Sequence, residues 1–332
     1  MKAYELAGPG LGNLRLVERE PPRLAARDVL LKMRAFSLNA RDAQILLGHY
    51  PVTKGFPLVP LSDGVGEVVA CGDSVTRVKP GDRVAPIFAQ RWLQGPRDDA
   101  TWSSTLASDL DGLLQEHVAL HEDGLVQVPS HLSDEEAATL PTAAVAAWEA
   151  LVTQGQVAAG DRVLVQGTGA VSLFGLQLGH MLGAHVIVTS NSAEKLERAK
   201  ALGAWHTLLR SDPHWTRRVR ELTDGRGVDH VLDVTADLAS AVACVRSGGM
   251  ISQVGYLSGL RLEIDVFAWL LSNARLHAVT VGPRASFEAM NEAIARHALR
   301  PIVGARFEFA DAAQAFTALA DEKRFGKVVV RL

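Results

Sequence analysis

Cysteine is almost missing from this sequence: Cys71 and Cys244 are the only two in 332 residues. Two isolated thiols rule out a disulfide framework and a four-cysteine zinc site, and they fit a reducing cytoplasm. Long apolar runs are missing as well, none approaching the ~18 residues that suggest a membrane span. The opening Met1-Lys2-Ala3-Tyr4-Glu5 leads into polar, glycine-rich sequence without an apolar segment of signal length. The expectation is a protein neither exported nor embedded in a membrane. An excess of one charge is also lacking, with 34 basic and 37 acidic side chains, a formal net charge of -3 and no block of five or six like charges. Nucleic acid and acidic membrane surfaces are therefore disfavoured as partners. Tyrosine is scarce: Tyr4, Tyr50 and Tyr256 are the only phenolic donors.

What is present is apolar material for ordinary cores, 48% of the residues, in a length that suits two domains. Up to residue 122 short alternating runs such as Val29–Ala35, Gly64–Ala70 and Asp82–Ile87 read as a mostly antiparallel β domain. Turns come from Val78-Lys79-Pro80-Gly81-Asp82 and from Pro57 to Pro60. Ser133 with Glu136 forms a capping box that opens an alanine-rich helix running to about Thr153. Strands and helices then alternate: strand 162–166, helix 171–182, strand 185–190, helices 193–202 and 214–223, strand 229–233, helix 236–246, and strands 250–255 and 276–281. Such βα repetition implies a parallel, doubly wound Rossmann sheet, so the fold class is α/β with a second, β-rich domain. After Pro283 come two amphipathic helices and a final strand, Gly326–Leu332, which returns to the first domain. The expected boundaries are 1–124 with 284–332 for the catalytic domain and 125–283 for the dinucleotide domain. The polar stretch from Phe88 to Leu114, with Trp92 and Trp102, reads as a loop bordering the active site.

The apolar strand Val163-Leu164-Val165 runs into Gly167-Thr168-Gly169-Ala170-Val171-Ser172, which opens a helical pattern. Strand, glycine loop and helix in that order make a dinucleotide phosphate site. Gly167 makes the tight turn, Gly169 leaves room for pyrophosphate, and the helix N-terminus faces the phosphates. Ser172 stands at the third glycine position and is small enough for close packing. At the end of the second strand, where an NAD site usually carries an acid, stand Ser190, Asn191 and, nearby, Lys195. Arg210 follows the third strand. Small polar groups with a cation fit a 2′-phosphate, so the expected cofactor is NADP(H) rather than NAD(H).

Ser37-Leu38-Asn39-Ala40-Arg41-Asp42, Pro60 to Val68, Ala137 to Leu151, the glycine motif, Glu194 to Ala204, Gly225 to Asp229 and Phe325-Gly326-Lys327-Val328-Val329 together give the chain its likeness. It resembles the medium-chain dehydrogenase/reductase superfamily over essentially its whole length, most of all the zinc-free, quinone oxidoreductase-like branch. The resemblance implies a GroES-like catalytic domain beside the Rossmann domain. The positions where zinc-dependent members hold their metal carry Asn39, Ser62 with Asp63, and Thr142, so no catalytic zinc is expected. Thr142, Gly255, Tyr256 and Val281 are assigned to the cofactor, although Ala146 stands where the resembling proteins usually have a threonine. His117 and His121, four apart, fall in a run that reads as strand, which places them roughly 13 Å apart and argues against a shared metal.

Without a metal, hydride addition to a simple ketone lacks a charge stabiliser, whereas a quinone or an enone spreads the charge over a conjugated system. The expected substrate is therefore a small conjugated carbonyl. Asn39, Tyr50 and Asp42 are the catalytic candidates, Asn39 as a hydrogen-bonding partner of the nicotinamide or the substrate and Asp42 as loop orienter. Lys327 is a further residue within reach of the cleft, and Phe267, Trp269 and Leu270 are expected near it. A metal-free alcohol dehydrogenase or ketone reductase and a non-catalytic NADPH-binding protein are the competing readings. The alternating strand 276–281, at the sheet edge without a charged residue in its middle, calls for a cover, which a homodimer supplies.

Overall fold

The computed structural model describes residues 1–256, 259–321 and 323–332. Contacts divide the chain into two compact units, Met1–Val145 with Gly282–Leu332, and Ala146–Val281. The first division falls later than the expected boundary at 124. The reason lies in Thr142, whose backbone N–H and hydroxyl both donate to Asp63 and so hold the helical stretch to the first unit.

The first unit is built on Asp28–Ser37, whose side chains Val29, Leu31, Met33 and Ala35 are fully buried while Lys32 and Arg34 face solvent. This period of two is what a half-buried strand requires. It pairs antiparallel with Asp63–Cys71 along one side. On the other side it pairs with His117–His121 near its start and with Lys327–Arg331 near its end. The sheet has seven strands, antiparallel except where Val303–Glu308 lies parallel to Lys327–Arg331. Tyr4 belongs to its core and donates its hydroxyl hydrogen to Ala310 O at 3.0 Å.

The capping box at Ser133 is formed, Ser133 Oγ accepting from Glu136 N and Glu136 Oε2 accepting from Ser133 N. The helix it opens is not uniform. A short α turn, Asp134–Ala137, gives way to π-helical turns at Leu140–Ala144 and Glu149–Thr153. Pro141 has no N–H to give and that of Thr142 is turned toward Asp63, so the regular ladder is interrupted there.

The stretch 88–114 is ordered by its own core. Ala89 is bridged to Thr105, Asp99–Trp102 is a helical turn, and Leu106, Ala107, Leu113 and Leu114 are fully buried. Arg41 holds it from below, donating to Leu106 O at 2.9 Å and to Ala107 O at 3.0 Å.

Glu122 closes another loop. Its buried carboxylate accepts from the N–H groups of Thr76 and Arg77 and from Arg27, and these bonds hold it at about 2, below its usual 4.5. A depressed carboxylate stabilises the fold above its unfolded value and loses that contribution as pH falls from about 4.5 toward 2. Glu122→Gln is therefore expected to be less stable than the parent at pH 7, with the deficit cut to about half or less at pH 3, read from denaturant midpoints. An equal deficit at both values would refute the assignment.

The second unit is a six-stranded parallel sheet in the order His206–Leu209, His185–Ser190, Arg162–Gln166, Val228–Asp233, Val245–Gln253, Arg275–Ala278. Numbered along the chain this is the doubly wound order 3-2-1-4-5-6, which leaves a crevice at the carboxyl ends of the two central strands. The edge strand is shorter than expected, ending at Ala278, where Val279 N–H makes its last ladder bond to Gln253 O. A helix absent from the sequence reading, Val266–Ser272, precedes it. Trp269 packs on the unit's core, while Phe267 is 70% and Leu271 67% exposed. Among the described residues no helix is long and apolar enough to cross a membrane.

Candidate active site

In the second unit the chain leaves Gln166 through Gly167 at φ 84°, a conformation that disfavours a side chain. Gly167 N donates to Thr189 O at 2.8 Å, which fixes the loop to the neighbouring strand. Gly169 caps the helix Ala170–Met181 without a side-chain hydrogen bond, so the first-turn N–H groups of Ala170 and Val171 are not capped by a side chain. Ser172 Oγ donates to Gln166 O at 2.9 Å and ties helix to strand. The closest approach comes one turn later, at Gly175, where a Cβ would stand 2.3 Å from Leu232 Cδ2. The sequence reading assigned that contact to Ser172; the i, i+4 pair Gly175 and Gly179 within an apolar helix was the signal for it.

At the end of the second strand Ser190 is buried, its Oγ 3.2 Å from Thr168 Oγ1 and accepting from Ser192 N. Ser192 caps the next helix through Lys195 N, Asn191 is exposed and Lys195 half-buried. Arg210 N donates to Ser190 O, so the third strand's end lies beside the second's. The Arg210 guanidinium, however, pairs with Asp237 at 2.7 Å and lies over Trp215. The carboxyl ends of the two central strands are joined by Thr235, whose hydroxyl is 2.7 Å from both Gln166 Oε1 and Asp233 Oδ1. Burial pushes the Asp233 carboxyl up. A Cβ on Gly255 would meet Val234 O at 2.5 Å, Tyr256 is exposed and Val281 buried.

The first unit gathers a second polar cluster. Asn39 ends the central strand's run and Asp42 Oδ2 accepts its N–H at 2.7 Å, starting the helix Ala40–Leu46. The antiparallel register pairs Ser37 with both Asp63 and Val329, and two residues further on it sets Lys327 against Asn39. Lys327 Nζ donates to Asn39 Oδ1 at 2.5 Å and lies 3.6 Å from Asp63 Oδ2. Asp63 Oδ1 accepts from Thr142 Oγ1 at 2.5 Å and from Ser62 Oγ at 3.2 Å. All of these side chains except Thr142 are buried. Burial drives Asp42 up to about 6 against the pull of Arg41, and drives Lys327 down against the pull of Asp63. Asn39, Asp42 and Thr142 are thus brought together, with Asp63 and Lys327 as additional members. Tyr50 stands apart, its ring 4.7 Å from the Arg41 guanidinium, which also lies over Phe88.

Residues 25–130 match the model of the alcohol dehydrogenase GroES-like domain, and residues 170–296 that of the zinc-binding dehydrogenase. A zinc-type alcohol dehydrogenase-like protein of Schizosaccharomyces pombe is 37% identical over 97% of this chain and 96% of its own. The chain belongs to the medium-chain dehydrogenase/reductase superfamily. It is an oxidoreductase of that type. A quinone oxidoreductase of Pseudomonas aeruginosa is 31% identical over 94% of this chain and 93% of its own. A solved structure of a Sinorhizobium meliloti protein assigned as an alcohol dehydrogenase matches with a TM-score of 0.94 at 41% identity, covering 100% of this chain and 98% of that one.

A dehydrogenase of this superfamily implies a nicotinamide dinucleotide, and the uncapped helix start after Gly167 fits its pyrophosphate. Zinc is implied by one of the matching models, and the donor set does not fit it. Asn39 Oδ1 is taken by an ammonium, Asp63 Oδ1 by two hydroxyls, and neither thiolate nor imidazole is among the cluster's residues.

Proposed function

We propose that this oxidoreductase uses NADPH to reduce a conjugated carbonyl, a quinone or an α,β-unsaturated ketone or aldehyde, without zinc. The observation that carries the reading is the buried Lys327 ammonium between Asn39 and Asp63, at the place where zinc ligands would otherwise stand. A dication set against that ammonium would be repelled by it in a medium of low dielectric. A substrate that delocalises its own negative charge suits such a site.

In this reading the dinucleotide supplies the hydride when bound. The N–H groups at the start of helix Ala170–Met181 hold the pyrophosphate, and Ser190, Asn191 and Lys195 receive the 2′-phosphate. Arg210 supports that pocket through its backbone, since its guanidinium is engaged by Asp237. Asn39 donates to the carbonyl oxygen, and Asp42 keeps Asn39 at the head of its helix. Tyr50, whose ring lies 4.7 Å from the Arg41 guanidinium, is the side-chain source of the proton.

The test is consumption of NADPH with a panel of quinones and enones in the presence of a metal chelator. Turnover with these and not with NADP and simple alcohols is the expected result. Activity that disappears with chelator and returns only with zinc would overturn it. The similarity to alcohol dehydrogenase-like proteins supports one rival, a metal-free alcohol or ketone enzyme, which alcohol-dependent NADP reduction would establish.

A homodimer and a cytoplasmic location complete the proposal. The helix Val266–Ser272, which leads directly into the edge strand Arg275–Ala278, exposes Val266, Phe267, Leu270 and Leu271, an apolar face of the kind that soluble monomers rarely present. Light scattering is expected to give twice the chain mass; a monomer mass independent of concentration would dismiss the dimer.

A further inference from the structure

Among the described residues, Asn39 Nδ2 is a buried donor without a partner, on a side chain 7% exposed. An unmade hydrogen bond of this kind costs about 1–3 kcal/mol, so a native fold that keeps one calls for a reason. The amide cannot relieve it by turning over. Lys327 carries three N–H donors and no acceptor, so only the carbonyl oxygen of Asn39 can face Nζ at 2.5 Å. The lysine is itself fixed. It is fully buried on the last strand, opposite Asn39 in the sheet register, with Asp63 Oδ2 on its other side. Asp63 is held in turn by the hydroxyls of Thr142 and Ser62.

We propose that Lys327 is a positioning residue: its ammonium holds Oδ1 of the Asn39 amide toward Nζ and leaves Nδ2 as the free end, so that Asn39 presents an N–H donor to the oxygen of a bound carbonyl compound. This deepens the carbonyl-reduction reading above and rests on it. Lys327 touches no reacting atom; it sets which end of the amide is offered. Without the ammonium the amide is able to turn and set its carbonyl oxygen toward the substrate, and two oxygens facing each other repel.

Turnover is measured on whichever carbonyl the wild-type protein reduces. Failure with quinones and enones but activity with a ketone therefore sinks the substrate reading and not this one. Lys327→Met is expected to lower kcat about 10²-fold, the usual effect of losing one donor to a developing oxyanion, with NADPH affinity unchanged by fluorescence titration. In an Asn39→Ala background the same change is expected to cost nothing further, because the lysine then has no amide to orient. Independent losses that multiply would overturn the proposal. Asn39→Asp covers the case in which Lys327→Met does not fold. It keeps an oxygen for Nζ and adds a charge partner, yet has no N–H to offer, and a full kcat in this variant would also overturn the proposal. A readout without turnover is the 15N side-chain amide signal of Asn39, which should move when an unreactive carbonyl compound is added to the wild-type NADPH complex. An unmoved signal at saturation counts against the inference.

Discussion

Asp63→Ala is expected to lower the stability of the first unit by about 3–5 kcal/mol, the range for breaking a buried ion pair from one side. The Lys327 ammonium is 2% exposed and would be left without the carboxylate 3.6 Å away. The hydroxyls of Thr142 and Ser62 would lose their acceptor as well. Removing both charges, as Asp63→Ala with Lys327→Met, is expected to recover part of the loss, since an uncharged buried pair needs no compensation. Denaturant midpoints of the three variants measure this. A loss under ~1 kcal/mol for the single change would mean that water already solvates the lysine.

The second large effect concerns the choice of dinucleotide. Lys195→Ala is expected to reduce kcat/KM for NADPH by about 10–10²-fold and leave NADH nearly unchanged, because a lysine near the 2′-phosphate contributes a charge-assisted bond that NADH does not use. Ser190→Asp tests the same pocket from the other side. Ser190 is buried at the end of the second strand with Arg210 N on its carbonyl, and an acid there repels a phosphate while accepting from ribose hydroxyls. A preference moved toward NADH by about 10²-fold is expected. Equal losses with both cofactors in either variant would remove the phosphate pocket.

The nucleotide unit was legible because its signals are local. Gly167 to Ser172 between an apolar strand and a helix lies within a few residues, and the order of βα units fixes the sheet. Ser133 and Glu136 were legible for the same reason, as a capping box is a spacing rule. The π turns that follow were not, because Thr142 gives its N–H to a residue 79 positions away. The same holds for the buried cluster. Asn39, Asp42 and Thr142 could be singled out, but Asp63 entered only as a metal position and Lys327 only as a residue near the cleft. Their joining depends on an antiparallel register that no short motif encodes. Arg41 was read simply as part of a stretch, whereas it supports the segment 88–114 through two carbonyls and stacks on Tyr50. Trp269 was placed near the cleft and instead packs in the nucleotide unit's core, its helix having too short a pattern to announce itself.

The central strand Asp28–Ser37 obtains its neighbour Lys327–Arg331 from the far end of the chain. On a ribosome adding about 5–20 residues per second, Asn39 waits roughly 15–60 s for its lysine. During that interval the second unit, continuous in sequence from Ala146 to Val281, is free to fold first while the earlier β-strands stand with an open edge. The order of completion is thus the reverse of the order of synthesis. A nascent chain stalled near residue 320 would hold a continuous nucleotide unit and a sheet still lacking the strand Lys327–Arg331.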